Sequence, residues 1–139
     1  MAYSGLGSSY LLYCWIALGG ALGGVARFWC TGVVARLFGE TFPWGTLIVN
    51  VTGSLLIGII AAFTAPEGRF FIGSTYRLAL MAGLLGGFTT FSSFSLQTLA
   101  LLQDGDWLRG GANIVLSVVL CLIAVWAGYA AASTFNALR

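Results

Sequence analysis

The sequence predicts an all-α membrane protein in which four transmembrane helices form a single domain over residues 1–139. Hydrophobic residues make up 59% of the chain and charged residues only 7%, whereas soluble domains carry about a quarter charged residues. The charges leave uncharged stretches at residues 2–26, 41–66, 78–103 and 110–138. Each stretch can hold the roughly 20 apolar residues that cross a bilayer, and continuous apolarity disfavours a β-barrel.

The first helix is predicted at about residues 10–33 and contains the motif "GGALGG" from Gly19 to Gly24. Small residues four positions apart allow a neighbouring helix backbone to approach closely. Close packing is therefore the favoured interpretation of these glycines. Arg27 follows near the predicted end of the helix. Its side chain either extends to the lipid headgroups or draws anions toward a vestibule, and the residues alone do not choose.

The second helix is predicted at about residues 43–64, with Pro43 in its first turn. Asn50 lies inside this apolar span. An amide in lipid is costly unless it forms hydrogen bonds. Asn50 therefore either joins two helices or faces a polar path, and the span leaves both alternatives open.

The third helix, predicted at about residues 75–102, contains "LLGGFTTFSSFSLQ". The pair Gly86-Gly87 falls near the middle of the membrane and predicts a break in the helix. Carbonyl groups freed at a break need partners that lipid does not supply, and inward-pointing carbonyls are good ligands for a small hard cation. The glycines alone would also fit close helix packing.

Aromatic and hydroxyl residues follow the glycine pair. Phe88, Phe91 and Phe94 are predicted to share one side of the resumed helix, and the hydroxyl residues occupy much of the rest: Thr89, Thr90, Ser92, Ser93 and Ser95. Neutral hydroxyl donors and the positive edges of aromatic rings both favour an anion that has lost its water. Weak stabilisation of this kind suits conduction, although such residues also pack helices and bond to their own backbone.

The fourth helix is predicted at about residues 108–134. Asn113, Ser117 and Cys121 recur every fourth residue and form one weakly polar stripe on an otherwise apolar helix.

The basic residues give no clear orientation. With four crossings, one side of the membrane carries Arg69, Arg77 and Arg139, and the other carries Arg36, Arg109 and, if it lies near the helix end, Arg27. Orientation normally follows an excess of Lys and Arg in cytoplasmic loops. The balance is either accidental or the sign of a chain that inserts both ways and pairs as an antiparallel dimer.

The positions of the acidic residues disfavour a proton-coupled exporter. Glu40, Glu67, Asp104 and Asp106 all fall in predicted loops or at helix ends. Proton-coupled exporters usually depend on a carboxylate inside the membrane. The sequence also contains no nucleophile–base pair, metal-ligand cluster or phosphate loop, so it does not predict an enzyme, and no nucleic-acid partner is expected.

Three motifs carry a family resemblance: "GGALGGVARF", "PWGTLIVNVTGS" and "GLLGGFTTFSSFS". Over nearly its whole length the chain resembles the small dual-topology fluoride channels of the Fluc or CrcB family. The resemblance implies an antiparallel homodimer in the inner cell membrane, whose two pores let fluoride leave the cytoplasm passively.

The resemblance also implies site residues. A structural sodium ion at the dimer centre would be held by the backbone carbonyls of Gly86 and Thr89 from both copies. The fluoride pathway would include Asn50, Thr90, Phe91, Ser93, Phe94 and, as the one ordinary hydroxyl donor of the fourth-helix stripe, Ser117. The chain departs from the family pattern at Gln97, where a glutamate is common, and at Asn113 and Cys121, where hydroxyls are typical.

Two other functions stay open from the residues alone. A dual-topology small multidrug exporter shares the size and charge balance but should have an acidic residue inside a helix. A non-transporting membrane assembly protein would use the glycines and hydroxyls only for packing.

Overall fold

The computed structural model describes residues 4–66, 68–70 and 72–138. Within these residues, four helical spans are long and apolar enough to cross a membrane. The third span consists of two helices, so the elements in chain order are α1 (Ser4–Phe38), α2 (Trp44–Phe63), α3 (74–88), α4 (Phe91–Gln103) and α5 (Trp107–Ala137). The prediction of an all-α protein with four spans is confirmed. Glu67 and Arg139 lie outside the described residues.

Glycines with positive φ end two of the helices. Helix α1 continues beyond its predicted end to Phe38 and stops at Gly39, whose φ is 77° and whose N–H bonds to Ala35. Arg27 therefore lies about 16 Å before the end of α1, at 1.5 Å per residue, and its predicted position near that end is wrong. Helix α4 ends in the same way at Gly105.

The third span is broken, but not at the glycine pair. Gly86 and Gly87 are helical, and the chain leaves the helix at Thr89 (ψ 159°) and Thr90 (φ −153°, ψ 114°). The predicted position of the break is thus early by about one helical turn. Phe88 lies before the break, so the prediction that it shares one side of the resumed helix with the two later phenylalanines is also wrong.

Helix α3 lies close to α1 where glycines let the two backbones approach each other. A Cβ atom added at Gly87 would lie 2.5 Å from the Gly20 carbonyl oxygen, and one added at Gly83 would lie 2.9 Å from that of Ile16. Added Cβ atoms at Gly19 and Gly23 would meet the backbone of Leu84. The packing interpretation of "GGALGG" is confirmed for these two glycines. A Cβ added at Gly24 would meet no atom of another element within 4 Å among the described residues.

Residues 79–85 of α3, which include Gly83, form a π-helical stretch within this contact. A π-helical stretch rotates the residues that follow it relative to a regular α-helix.

Helix α2 packs against α5 in a similar way. An added Cβ at Gly58 would meet the carbonyl of Val125, and one at Gly128 would meet that of Leu55. The two largest fully buried side chains are Val49 of α2 and Asn113 of α5. Buried apolar residues also lie on both sides of the break in the third span, with Leu85 in α3 and Phe94 in α4.

Candidate functional site

A cavity of about 430 Å³ lies against the broken part of the third span. Helices α2, α3, α4 and α5 all contribute to its wall. The lining residues are Asn50, Gly53, Ser54, Ile57, Met81, Leu85, Gly86, Thr89, Thr90, Phe91, Phe94, Ser117, Val118, Cys121 and Leu122. None of these lining residues is charged, so the polar part of the wall consists of amide, hydroxyl, thiol and backbone groups.

Asn50 joins α2 to the break. Its Oδ1 accepts a hydrogen bond from the backbone N–H of Thr90 at 2.8 Å, and its Nδ2 donates to the Thr90 carbonyl at 2.9 Å. In an unbroken helix the Thr90 N–H would bond to the carbonyl of Gly86. The amide oxygen of Asn50 therefore replaces the helical partner that the Thr90 N–H loses at the break, and Asn50 also lines the cavity. The alternative that Asn50 joins two helices is confirmed, and the alternative that it faces a polar path stays a prediction.

The hydroxyls at the start of α4 form a local cluster. Thr90 is the N-cap residue of α4: its Oγ1 accepts from the backbone N–H of Ser93 at 3.2 Å and donates to the Ser93 hydroxyl at 3.0 Å. Such a cap satisfies a free N–H at the helix start. Ser93 contacts Thr90 but is not among the residues that line the cavity. The Ser95 hydroxyl is exposed and bonds to the Phe91 carbonyl.

The two phenylalanines of α4 lie side by side at the cavity. Their ring centroids are 5.1 Å apart with planes tilted by 51°. Phe94 is buried, with 8% of its surface exposed, whereas Phe91 is 75% exposed. A ring edge can therefore face the cavity from a fixed position at Phe94, while Phe91 extends beyond the body of the single chain.

Helix α5 contributes a buried polar chain. Asn113 Nδ2 donates to Thr98 Oγ1 at 2.8 Å, and the Thr98 hydroxyl donates to the Phe94 carbonyl at 2.8 Å. The Ser117 hydroxyl donates to Asn113 Oδ1 at 3.4 Å. Ser117 and Cys121 reach the cavity, whereas Asn113 lies behind the wall and is only 1% exposed.

Some wall and network residues are not predicted from the sequence. Gly53 lines the cavity beside Thr89, and a Cβ added at Gly53 would collide with the Thr89 methyl group. Ser54 follows Asn50 by one helical turn, which is a signal that the polar side of α2 continues. Thr98 follows Phe94 by one turn, but only the fold brings it to Asn113.

The remaining predicted residues are placed as follows. Gly86, which is helical, and Thr89, which lies at the break, both line the cavity. Arg27 lies within α1 and lines neither this cavity nor a second one of about 380 Å³. The second cavity lies between the end of α1, the start of α2 and the end of α4, and Gln97 is in its wall. The Gln97 Oε1 atom is buried without a hydrogen-bond partner among the described residues.

The described acidic residues lie outside the cavity at the break. Glu40 is exposed in the loop before α2, Asp104 follows α4, and Asp106 is the N-cap of α5, where it bonds to the N–H of Arg109. A proton-coupled exporter usually requires a carboxylate in the middle of a span. None of the described residues places one there.

Comparison with known proteins gives one family. The model of the family described as "CrcB-like protein, Camphor Resistance (CrcB)" matches residues 14–129. A "Fluoride-specific ion channel FluC" from Opitutus terrae is 64% identical over 128 residues, which cover 92% of this chain and 97% of the relative.

Relatives with the same name from Methylocella silvestris and Paramagnetospirillum magneticum are 57% and 56% identical. The matches cover 91% of this chain in both cases, with 97% of the first relative and 98% of the second. Both the family match and this degree of identity extend over nearly the whole chain, which therefore belongs to the CrcB family.

Proposed function

We propose that this chain forms a passive channel that conducts fluoride across the membrane. The observation that carries the proposal is the uncharged, hydroxyl-bearing cavity at a broken transmembrane helix, in a family whose similar members are named fluoride-specific ion channels. Fluoride is a small anion, and conduction requires sites that replace its hydration shell without holding it tightly. Neutral donors satisfy that requirement better than a buried cation.

Each predicted residue then has a physical role. Ser117 and Thr90 offer hydroxyl groups at the wall, and Ser93 completes the hydroxyl cluster behind Thr90. The rings of Phe91 and Phe94 offer positive edges. Asn50 holds the backbone of Thr90 in its extended conformation, so that the start of α4 faces the cavity. Arg27 is proposed to act at a distance, by raising the local concentration of anions.

The functional unit is proposed to be an antiparallel homodimer. Non-helical backbone at membrane depth is tolerated only where protein covers it or water reaches it. Gly86 is exposed at the surface of the single chain beside the break, and Phe91 is 75% exposed. A second copy would cover both. The balanced arginines fit two copies inserted in opposite orientations.

A structural sodium ion fits the backbone at the break. The Thr90 N–H bonds to Asn50 and not to the Gly86 carbonyl, and Thr89 is extended, so its carbonyl leaves the helical direction. These two carbonyls would hold the ion, which would supply a fixed positive charge that ties two copies together. One chain offers only two such oxygens, so a second copy would be needed to complete the shell around the cation.

The direct test is ion efflux from liposomes that contain the purified protein. We expect rapid fluoride efflux without a proton gradient and at most weak chloride efflux. Equal efflux of the two anions would contradict the proposal. Fluoride efflux that requires a proton gradient would indicate an exporter, and the absence of any ion flux would indicate an assembly protein.

The placement of the pathway is tested with Phe91→Ile. The change removes an aromatic edge but little volume, so we expect fluoride efflux to fall at least about tenfold while the dimer remains intact by size-exclusion chromatography. Phe70→Ile, in the loop after α2, is the matched control and should conduct normally. Normal efflux in Phe91→Ile would mean that the pathway lies elsewhere.

A further inference from the structure

The Ser117 hydroxyl differs from other hydroxyls of the molecule. Five of them donate to the backbone carbonyl four residues earlier, at 2.6–2.9 Å: Thr64, Thr89, Ser95, Thr98 and Thr134. Ser117 instead donates to the side-chain oxygen of Asn113, the residue four positions earlier, at 3.4 Å. A hydroxyl bonded to its own helix has its hydrogen committed to the backbone. The Ser117 hydroxyl does not donate to its own helix backbone, because it donates to the Asn113 side chain instead.

The Phe94 carbonyl fixes the direction of each hydrogen bond in the series that runs through Thr98 and Asn113 to Ser117. The Phe94 carbonyl has no hydrogen, so the Thr98 hydroxyl must donate to it and can only accept from Asn113. The NH₂ group of Asn113 therefore faces Thr98, and its oxygen faces Ser117. As a result, Ser117 must be the donor in its bond to Asn113.

The bond from Ser117 is weak by its length. Hydroxyl-to-oxygen bonds normally span about 2.5–3.0 Å, and this one spans 3.4 Å. The Ser117 hydrogen can therefore turn toward an anion in the cavity at little cost, because the amide oxygen gives up only a poor bond.

We propose that Asn113, which does not line the cavity, is a positioning residue for fluoride. Its amide oxygen accepts a weak hydrogen bond from the Ser117 hydroxyl. This bond keeps the hydroxyl from donating to the backbone, and it is weak enough for the hydroxyl to donate to the anion instead. The inference rests on the proposed function, because it assigns Ser117 to the fluoride pathway. It adds Asn113, which lies behind the cavity wall and determines how readily the Ser117 hydroxyl donates a hydrogen bond to an anion.

Loss of the amide has a definite consequence. Without it, Ser117 can donate to the backbone carbonyl of residue 113, as the five other hydroxyls do with theirs. The cavity then loses one donor. The net contribution of a neutral hydrogen bond corresponds to a change in affinity of about two- to tenfold.

The first experiment is a double-mutant cycle with Asn113→Leu and Ser117→Ala. Efflux is measured against fluoride concentration, giving a half-saturating concentration and a maximal rate per folded dimer. We expect each single variant to raise the half-saturating concentration about two- to tenfold, and the double variant to match Ser117→Ala alone. Effects that multiply in the double variant, or no change in the half-saturating concentration for Asn113→Leu, would overturn the proposal.

A second pair of variants decides the question if Asn113→Leu does not fold. Thr98→Val removes the hydroxyl that orients the Asn113 amide, whereas Thr98→Ser keeps it. We expect the half-saturating concentration to rise in Thr98→Val and to stay at the wild-type value in Thr98→Ser. Equal values in the two variants would contradict the proposal. Thr134→Val removes a similar hydroxyl far from the cavity and serves as the control.

Failure of the proposed function would give a different result. If the unmodified protein shows no fluoride efflux, the function is wrong. If it shows fluoride efflux but the cycle reports independent effects, the function stands and the role of Asn113 is wrong.

Discussion

The two halves of the third span have opposite relations to the rest of the molecule. Helix α3 lies against α1 with glycine facing backbone, and an added Cβ at Gly87 or Gly83 would collide with a carbonyl oxygen. Helix α4 starts with a hydroxyl cap, and its first turn faces a cavity of about 430 Å³ whose wall also includes parts of α2, α3 and α5. The change occurs at Thr89 and Thr90, where the backbone becomes extended.

This difference indicates that two unusual features of the third span, the glycines Gly83 and Gly87 and the hydroxyls at the start of α4, serve separate purposes. Glycines let helices approach closely where no hydrophobic effect draws them together. Hydroxyls and the Asn50 amide satisfy the backbone that the break exposes and leave donors at the cavity. Damage to α3 should therefore cost the fold, and damage at the start of α4 should cost conduction.

The largest effect is expected from Gly87→Ala in α3. Its new Cβ would lie 2.5 Å from the carbonyl oxygen and 2.8 Å from the Cα atom of Gly20, and neither backbone atom can move independently. We expect a loss of about 3 kcal/mol of stability, seen as a strongly reduced yield of folded protein in detergent. Gly32→Ala on α1, whose new Cβ would meet no atom of another element within 4 Å among the described residues, should fold normally. Equal yields would show that α1 and α3 are not in close contact.

Asn50→Asp is expected to lower stability less than Gly87→Ala does but to reduce conduction strongly. One carboxylate oxygen can still accept from the Thr90 N–H, but the other would face the Thr90 carbonyl, to which Asn50 now donates. Repulsion between the two oxygens would move the start of α4. We expect fluoride efflux per folded dimer to fall at least about tenfold, because the lost bond is to buried backbone.

Asn136→Asp is the matched control for this variant. The Asn136 amide also bonds to backbone on both sides, to the N–H of Arg69 and the carbonyl of Ala62, but it lies near the end of α5, away from the cavity. We expect it to lower thermal stability and leave efflux per folded dimer unchanged. A similar loss of efflux in both variants would show that conduction merely follows stability.

The sequence predicts the four spans and the neighbourhood of the site because composition and charge spacing act locally. It misplaces the break, because Gly86 and Gly87 suggest flexibility whereas the extended backbone depends on Asn50, 40 positions from Thr90 in the chain. The contact between Thr98 and Asn113 is likewise set by how α4 and α5 pack. Residue types therefore indicate which side chains are unusual for a membrane span, and tertiary contacts determine where the helix breaks.

The smallest effect on stability is expected from a change at Gln97, whose side chain differs from its neighbour in α4 by lacking a hydrogen-bond partner for its oxygen within the described part of the chain. The neighbouring Thr98 hydroxyl has two partners, whereas the Gln97 Oε1 atom is buried with none among the described residues. A buried acceptor without a partner is destabilising, so Gln97→Met should raise stability by about 1 kcal/mol and Tm by a few degrees. Gln103→Met, at the exposed end of α4, is the matched control and should leave Tm unchanged. A lower Tm in Gln97→Met would contradict this prediction, because it would mean that the Gln97 amide stabilises the fold, as it would if water in the second cavity bonded to this oxygen.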